Sequence, residues 1–317
     1  MPPRGNQRVR LTAAAAGAHA GRAMSLRFSI LTPTLNRRAL LGEALESVAA
    51  QRWPAVQHIV ADGGSSDGTL EWLAGQGGVQ VLEGPDAGIY DGLNKAAAAA
   101  EGDIVGWLNS DDSYAPSAFA AVAEAFARDT SLAAVCGAAR IESGGRVERH
   151  YPGRDIADLS PGALLIGPTL PNAWFFRRDV FRAVGPFSAA LRFAADSDFM
   201  MRFARLGAAH GHVDDLVYRY RRHDGSATIG AGASLALRED MLALALMWRK
   251  DAAAGAVARA LEGRCRAALA VEALRRGKLG AAASHAAHLP AIFSGVSDWA
   301  HRRLDPALRL RREGEAA

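Results

Sequence analysis

Only two cysteines, Cys136 and Cys265, occur among 317 residues. That excludes a disulfide framework and a four-cysteine zinc site, and it fits a reducing compartment. No apolar run approaches the roughly 18 uninterrupted residues that a spanning helix needs, so an integral membrane protein is not expected. Neither a G-x-x-x-x-G-K-[ST] phosphate loop nor a G-x-G-x-x-G turn is present, which removes two familiar glycine-based phosphate cradles. No internal repeat is found. What remains is an ordinary globular composition, 50% hydrophobic and 22% charged, which argues against wholesale disorder.

The formal net charge of +4 is unevenly spread. Residues 1–23 carry four arginines and no acid, and 235–317 carry 14 Lys/Arg against 9 Asp/Glu. The body, 24–234, holds 19 bases against 24 acids and is acidic. A nucleic-acid enzyme more often places its positive field on the body, so no nucleic-acid partner is expected. An acidic body carrying a metal suits substrates that bring their own phosphates. Residues 1–23 read as a disordered tail. A signal peptide fits them poorly, because the Ala-rich stretch is weakly apolar and broken by Gly17 and His19.

Short apolar runs alternate with helical patterns from residue 28 onward. Phe28–Leu31, His58–Ala61, Val79–Leu82 and Ile104–Leu108 read as buried strands. Helices are expected after Asn36, which can cap one, near Thr69, over 89–100 and over 116–128. A further strand and a hairpin follow around Ser143-Gly144-Gly145, then a helix from about Phe193 and a last strand over 213–220. The alternation predicts an α/β fold with a parallel sheet covered on both faces. In such sheets ligands bind beyond the carboxyl ends of the strands. Polar clusters fall there three times, at Thr32–Asn36, Asp62–Asp67 and Asn109–Asp112. After about residue 233 the chain turns Ala- and Arg-rich with helical periodicity.

Asp111-Asp112 follows an apolar strand. Adjacent carboxylates are costly to hold together unless a cation neutralises them, and hard oxygen ligands suit Mg²⁺ or Mn²⁺. A solvated loop with Asp112 capping the next helix is the plain alternative. Asp62 at a strand end can accept a hydrogen bond from a base or ribose, or simply make a turn. Gly64-Ser65-Ser66-Asp67-Gly68 matches the G-x-S-x-G nucleophile elbow, with Asp196 and His223 later in the chain. The turn is longer than a sharp elbow, so a serine hydrolase using Ser66 stands as the alternative. Asp196 and Asp198, two apart, cannot share a helix face. One can support the helix start while the other faces a cleft as a general base. Arg221, Arg222 and His223 could contact a diphosphate.

These segments together resemble the family 2 glycosyltransferases of the GT-A fold. The resemblance rests on Ile30-Leu31-Thr32-Pro33-Thr34-Leu35-Asn36, on Asp62 to Thr69, on Asp86 to Lys95 and on Gly102-Asp103 to Asn109-Ser110-Asp111-Asp112. A downstream block runs from Phe175 through Asp196-Ser197-Asp198 and Arg202 to Tyr220–His223. Four linked motifs in order are specific where one alone is not.

The resemblance implies a mostly parallel Rossmann-like sheet with helices on both faces and a C-terminal helical extension. The organisation would be a tail at 1–23, a glycosyltransferase domain at 24–234 and a basic helical extension at 235–317. It implies an inverting transfer from a nucleotide-diphosphate sugar, a UDP-sugar being favoured, to a glycan or lipid-linked acceptor hydroxyl, with Mg²⁺ or Mn²⁺. Thr32, Pro33, Thr34, Asn36, Ser65, Lys95 and Asn109 would serve the nucleotide pocket, and Asp62 the base. Asp112 would bind the metal directly, with Asp111 nearer the ribose and also a metal ligand. Asp196 would be the general base, and His223 would approach the diphosphate or metal. Asn109 stands where many members have an acid, and a histidine common near Pro171-Asn172 is missing. The setting implied is surface-polysaccharide or lipid-linked glycan synthesis. A cytoplasmic location follows as an expectation, with the C-terminal helices touching the inner membrane face in one version. A non-catalytic sugar-nucleotide binder is the remaining alternative.

Overall fold

The computed structural model describes residues 23–167, 170–226 and 233–288. The expected tail lies outside this set except for Ala23, as does the part of the C-terminal extension beyond 288.

Nine strands form one sheet: β1 (Phe28–Thr34), β2 (Val56–Asp62), β3 (Val79–Glu83), β4 (Ile104–Trp107), β5 (Ser113–Tyr114), β6 (Ala134–Ser143), β7 (Arg146–Tyr151), β8 (Trp174–Arg177) and β9 (His210–Arg222). The helices are α1 (Leu41–Ala49), α2 (Thr69–Leu73), α3 (Ile89–Ala98), α4 (Ala118–Arg128), α5 (Gly153–Ile156) and α6 (Pro161–Leu165). They continue with α7 (Arg178–Val184), α8 (Ala195–Leu206), α9 (Ala233–Trp248), α10 (Gly255–Arg275) and α11 (Leu279–Ala286).

The strand order is β3-β2-β1-β4-β8-β6-β9-β5, with β7 on β6. β3, β2, β1 and β4 are mutually parallel, as their unbroken apolar runs predict. Beyond β4 the sheet is mixed, because β8 runs antiparallel to both β4 and β6 while β6 and β9 are parallel. The sequence pattern marks buried strands but not their direction, so this reversal was not readable from it.

The scarce aromatics are concentrated where they fill the most volume. Phe28 stacks on Phe119 at 4.6 Å, and Trp107 is ringed by Phe176, Phe187 and Phe199. Each such side chain buries a large apolar area and adds edge-to-face attraction. The C-terminal helices join this core: Leu244, Ala245 and Trp248 of α9 and Val257, Ala258 and Leu261 of α10 belong to the same buried cluster. Close approach demands glycine at Gly137, where a Cβ would sit 2.1 Å from a Val217 methyl.

Two helix starts differ from expectation. Asn36 does not cap α1, which begins at Leu41; Asn36 lies in the left-handed region at φ 53°. α4 begins at Ala118 rather than 116, after a left-handed Ser117.

Candidate active site

The strand ends carry their polar clusters to a cavity of about 350 Å³. Its walls include Pro33 and Thr34 from β1, Asn109 and Asp111 after β4, Tyr90 from α3, Arg192, and Asp196 from α8. A second hollow of about 460 Å³ lies between α1, β2 and β3 around Trp53 and His58. It holds none of the acidic motif residues, so the chemistry belongs to the first.

Asp111 and Asp112 point in different directions. Asp112 is 1% exposed. Its Oδ2 accepts hydrogen bonds from the Tyr218 hydroxyl at 2.5 Å and the Asn109 amide at 3.3 Å, and its Oδ1 accepts from the Arg221 backbone at 2.8 Å. Burial, and then the charge of Asp111, push its proton affinity up; those three donors hold it down. Asp111 instead lines the cavity, and its Oδ2 lies 3.2 Å from His223 Nε2. The Gly225 amide donates to His223 Nδ1, so in the neutral ring Nε2 carries the proton and donates to Asp111. The sequence expectation makes Asp112 the direct metal ligand; here its carboxylate ties β9 to the end of β4, and Asp111 is the acid that lines the cavity.

Asp196 opens α8 and forms part of the cavity wall. Burial pushes its carboxyl up to about 6, against the hydrogen bond from the Ser197 amide that lowers it. Asp198, on the other side of the helix, pairs with Arg202 at 2.9 Å and accepts from the Trp248 indole at 2.9 Å. The i, i+2 pair thus divides into one acid in the cleft and one in the core.

Of the expected nucleotide residues, Pro33, Thr34, Asn109 and Asp111 are on the cavity wall. Thr34 is 4% exposed, and its hydroxyl has no hydrogen-bond partner among the described residues. Such an orphan normally carries a cost, and it stands ready for a ligand.

The others support the wall from behind. Thr32 Oγ1 lies 2.9 Å from His58 Nε2, in a buried pair whose histidine burial pushes down to about 4. Asp62 is 2% exposed and accepts from the Gly64 amide, the Ser65 amide and the Ser65 hydroxyl. Asn36 donates its amide to Ser65 Oγ and accepts from the Ser66 amide. These bonds weld the β1 and β2 loops together, and a short polar loop without regular structure needs such side-chain partners. Lys95 donates to the Pro85 carbonyl and pairs with Asp91 outside the cavity.

Asp86 and Tyr90, inside the Asp86–Lys95 segment, and Arg192 receive no role from the sequence, yet all three line the wall. Gly63 leaves room for Asp86, since a Cβ there would stand 2.6 Å from Asp86 Oδ2. The hydrolase alternative fails on geometry. The Ser66 hydroxyl faces Asn36 at 3.5 Å, whereas His223 is engaged by Asp111 and Gly225. No serine–histidine pair forms among the described residues.

A half-parallel α/β sheet with its acids gathered at one set of strand ends is the GT-A architecture, and solved structures agree. S. aureus TarS 1–349 in complex with UDP-GlcNAc superposes with a TM-score of 0.58 at 21% identity, covering 76% of this chain and 71% of that one. Mannosyltransferase PcManGT from Pyrobaculum calidifontis, in complex with GDP-Man and Mn²⁺, gives 0.55 at 19% identity over 92% and 90%. In sequence, residues 29–193 match the model of glycosyl transferase family 2. A PGL/p-HBAD biosynthesis glycosyltransferase of Mycobacterium tuberculosis is 31% identical over 206 residues, 62% of this chain and 78% of that protein. The chain belongs to glycosyl transferase family 2 and is a glycosyltransferase.

Proposed function

We propose that this glycosyltransferase moves a sugar from a nucleotide diphosphate, a UDP-sugar by preference, to the hydroxyl of a glycan or lipid-linked acceptor, with inversion and with Mg²⁺ or Mn²⁺. The observation that carries the reading is one cavity holding Asp111 on one wall and a carboxylate of raised proton affinity, Asp196, on another.

The donor set fits a hard divalent cation. Asp111 offers a carboxylate oxygen at the cavity wall, and the His223 imidazole beside it fixes the orientation of that carboxylate. No cluster of three or more His, Cys, Asp or Glu side chains exists among the described residues. Mg²⁺ and Mn²⁺ keep waters and share substrate phosphates, so a single protein carboxylate can serve as their anchor. Asp111, steadied by the His223 ring, would hold the ion, which when bound would offset the charge that builds on the departing diphosphate. Asp112 sets the position of both by fixing Tyr218 and Arg221.

The protein's own groups do the rest. Pro33, Thr34 and Asp86 hold the nucleotide, and Arg37 and Arg192 add positive charge to the wall. Asp196 takes the proton of the acceptor hydroxyl as its oxygen attacks the anomeric carbon. The new bond forms on the face opposite the diphosphate, the old C–O bond breaks, and the configuration inverts. Holding both partners in line supplies a further part of the rate. The UDP preference rests on the UDP-GlcNAc complex of TarS; the GDP-Man and Mn²⁺ of PcManGT support the nucleotide-sugar and cation readings.

The name of the mycobacterial relative, a PGL/p-HBAD biosynthesis glycosyltransferase, supports a role in surface-glycan assembly. No helix among the described residues is long and apolar enough to cross a membrane. Exposed Val271, Leu274 and Leu279 beside Arg275 and Lys278 support a peripheral contact at the inner face of a membrane instead. Domain limits of 24–234 for the transferase and 235–317 for the helical extension go with this reading.

The test is transfer from UDP-sugars with Mn²⁺ and with EDTA, with the product anomer assigned by NMR. Loss of transfer in EDTA and an inverted product are expected. Full activity in EDTA, or retention, overturns the corresponding part. Flotation with anionic vesicles tests the membrane contact, and a protein that stays at the bottom of the gradient removes it.

A further inference from the structure

We infer that Asp240, on helix α9 of the C-terminal extension, is a positioning residue for the Asp196 base. The inference rests on the proposed role of Asp196. Asp240 is 8% exposed. Its carboxylate accepts three successive backbone amides: Oδ1 from Arg192 at 2.9 Å, and Oδ2 from Phe193 at 2.6 Å and Ala194 at 2.8 Å. These amides immediately precede α8, whose second residue is Asp196.

Helix starts leave unpaired amides that a local Ser, Thr or Asp usually satisfies. The residue before α8 is Ala194, which has no side chain able to do so. A carboxylate 46 positions beyond Ala194 instead ties down the three amides that lead into the helix, and its negative charge suits the helix's positive end. Successive amides turned to one anion form a nest, and charge-assisted bonds of this kind are the strong ones.

The clamp has other arms. The Tyr90 hydroxyl of α3 donates to the Phe193 carbonyl at 3.1 Å. Trp248, at the far end of α9, donates its indole N–H to Asp198 at 2.9 Å. One helix of the extension therefore grips the chain on both sides of Asp196, two residues before it and two after. The segment between can turn only by breaking bonds to α9. Helix α9 thus acts on the base: without the Asp240 clamp the loop is free to swing, and the base loses its aim at the acceptor.

Two variants separate aim from folding. Asp240→Asn keeps the size but loses one acceptor oxygen. Asp240→Glu keeps the charge and displaces it by one methylene. UDP release from UDP-glucose, UDP-GlcNAc and GDP-mannose, with water as acceptor, reports base-assisted attack, and calorimetry with UDP and Mn²⁺ reports donor binding. Val257→Ala on α10, buried in the core and away from the site, controls for general loss of stability. Both Asp240 variants should lose at least tenfold in kcat on whichever nucleotide sugar the wild type turns over, with KM for that donor and UDP affinity unchanged. Val257→Ala should lower Tm and leave kcat alone. A kcat within twofold of wild type in either folded Asp240 variant overturns the inference. So does failure of both variants to fold, which would make Asp240 a requirement of the fold rather than of the base. A wild-type protein that neither binds UDP nor releases it would instead strike the functional reading itself.

Discussion

His223 Nε2 and Asp111 Oδ2 lie 3.2 Å apart, although 112 positions separate them in the chain. One comes from the end of β9 and the other from the end of β4, so the contact exists only once the mixed half of the sheet has closed. Asp111 lines a cavity of about 350 Å³, and the imidazole beside it fixes the carboxylate that would take a cation. Asp111→Ala should abolish the Mn²⁺-dependent part of UDP binding and leave the melting temperature within a degree or two. Calorimetry with and without Mn²⁺ measures it. Undiminished, Mn²⁺-dependent UDP binding by the variant would exclude Asp111 from the metal face.

Asp112 should behave in the opposite way. Its three hydrogen bonds come from Tyr218, Asn109 and the Arg221 backbone. Replacement by Ala leaves the Tyr218 hydroxyl and the Arg221 amide without their acceptor in a buried place. Each orphaned group costs about 1–3 kcal/mol. Asp112→Ala should therefore lower stability in denaturant melts by several kcal/mol. Its loss of activity would follow from the displaced end of β9. A variant as stable as wild type but unable to bind Mn²⁺ would restore Asp112 as the ligand.

Thr34 offers a finer test. Its hydroxyl is buried and has no partner among the described residues, so it adds no hydrogen bond to the fold there and bears a desolvation cost. Thr34→Val keeps the shape and removes the oxygen. Stability should hold or rise, and UDP affinity should fall about tenfold, the value of one good hydrogen bond of about 1.4 kcal/mol. Equal affinity in the two proteins would mean that the hydroxyl touches no donor.

Much of this site was legible before the fold was known. Strands that end in polar residues mark a ligand edge, and Thr34, Asn109, Asp111 and Asp196 were all found that way or by family likeness. What the sequence could not say was which way each side chain points. Asp111 and Asp112 differ by one residue, and the choice between cavity and core falls to Tyr218 and Arg221, more than a hundred positions on. Thr32, Asn36, Asp62 and Ser65 carry the motif yet serve behind the wall, because a loop joining two strand ends needs internal hydrogen bonds before it can offer any outward. Asp240 had no signal at all: an acid in an Ala-rich helix reads as a solvated face until the loop of 192–194 is laid against it.

Asp196 joins activity to stability through pH. Burial holds its carboxyl up at about 6, against an ordinary 3.8. Only the ionised form can accept a proton, so transfer should rise about tenfold per pH unit on the acid side and level off above pH 6. The stability effect has the reverse sign. The folded state binds this proton more tightly than the unfolded chain, so the ionised carboxylate opposes folding. That cost is fully present above pH 6, fades as pH falls through 6, and is gone below 3.8. Asp196→Asn removes the buried charge and should be at least as stable as wild type at pH 8, with the advantage vanishing near pH 4. Its turnover should be lost while UDP binding remains. Melting curves and initial rates at pH 4, 6 and 8 measure both at once. An Asn variant clearly less stable than wild type at pH 8 would mean that the carboxylate is held for the fold. Near wild-type turnover would mean that the base lies elsewhere. The two failures are separable because one is read in melting and the other in rate.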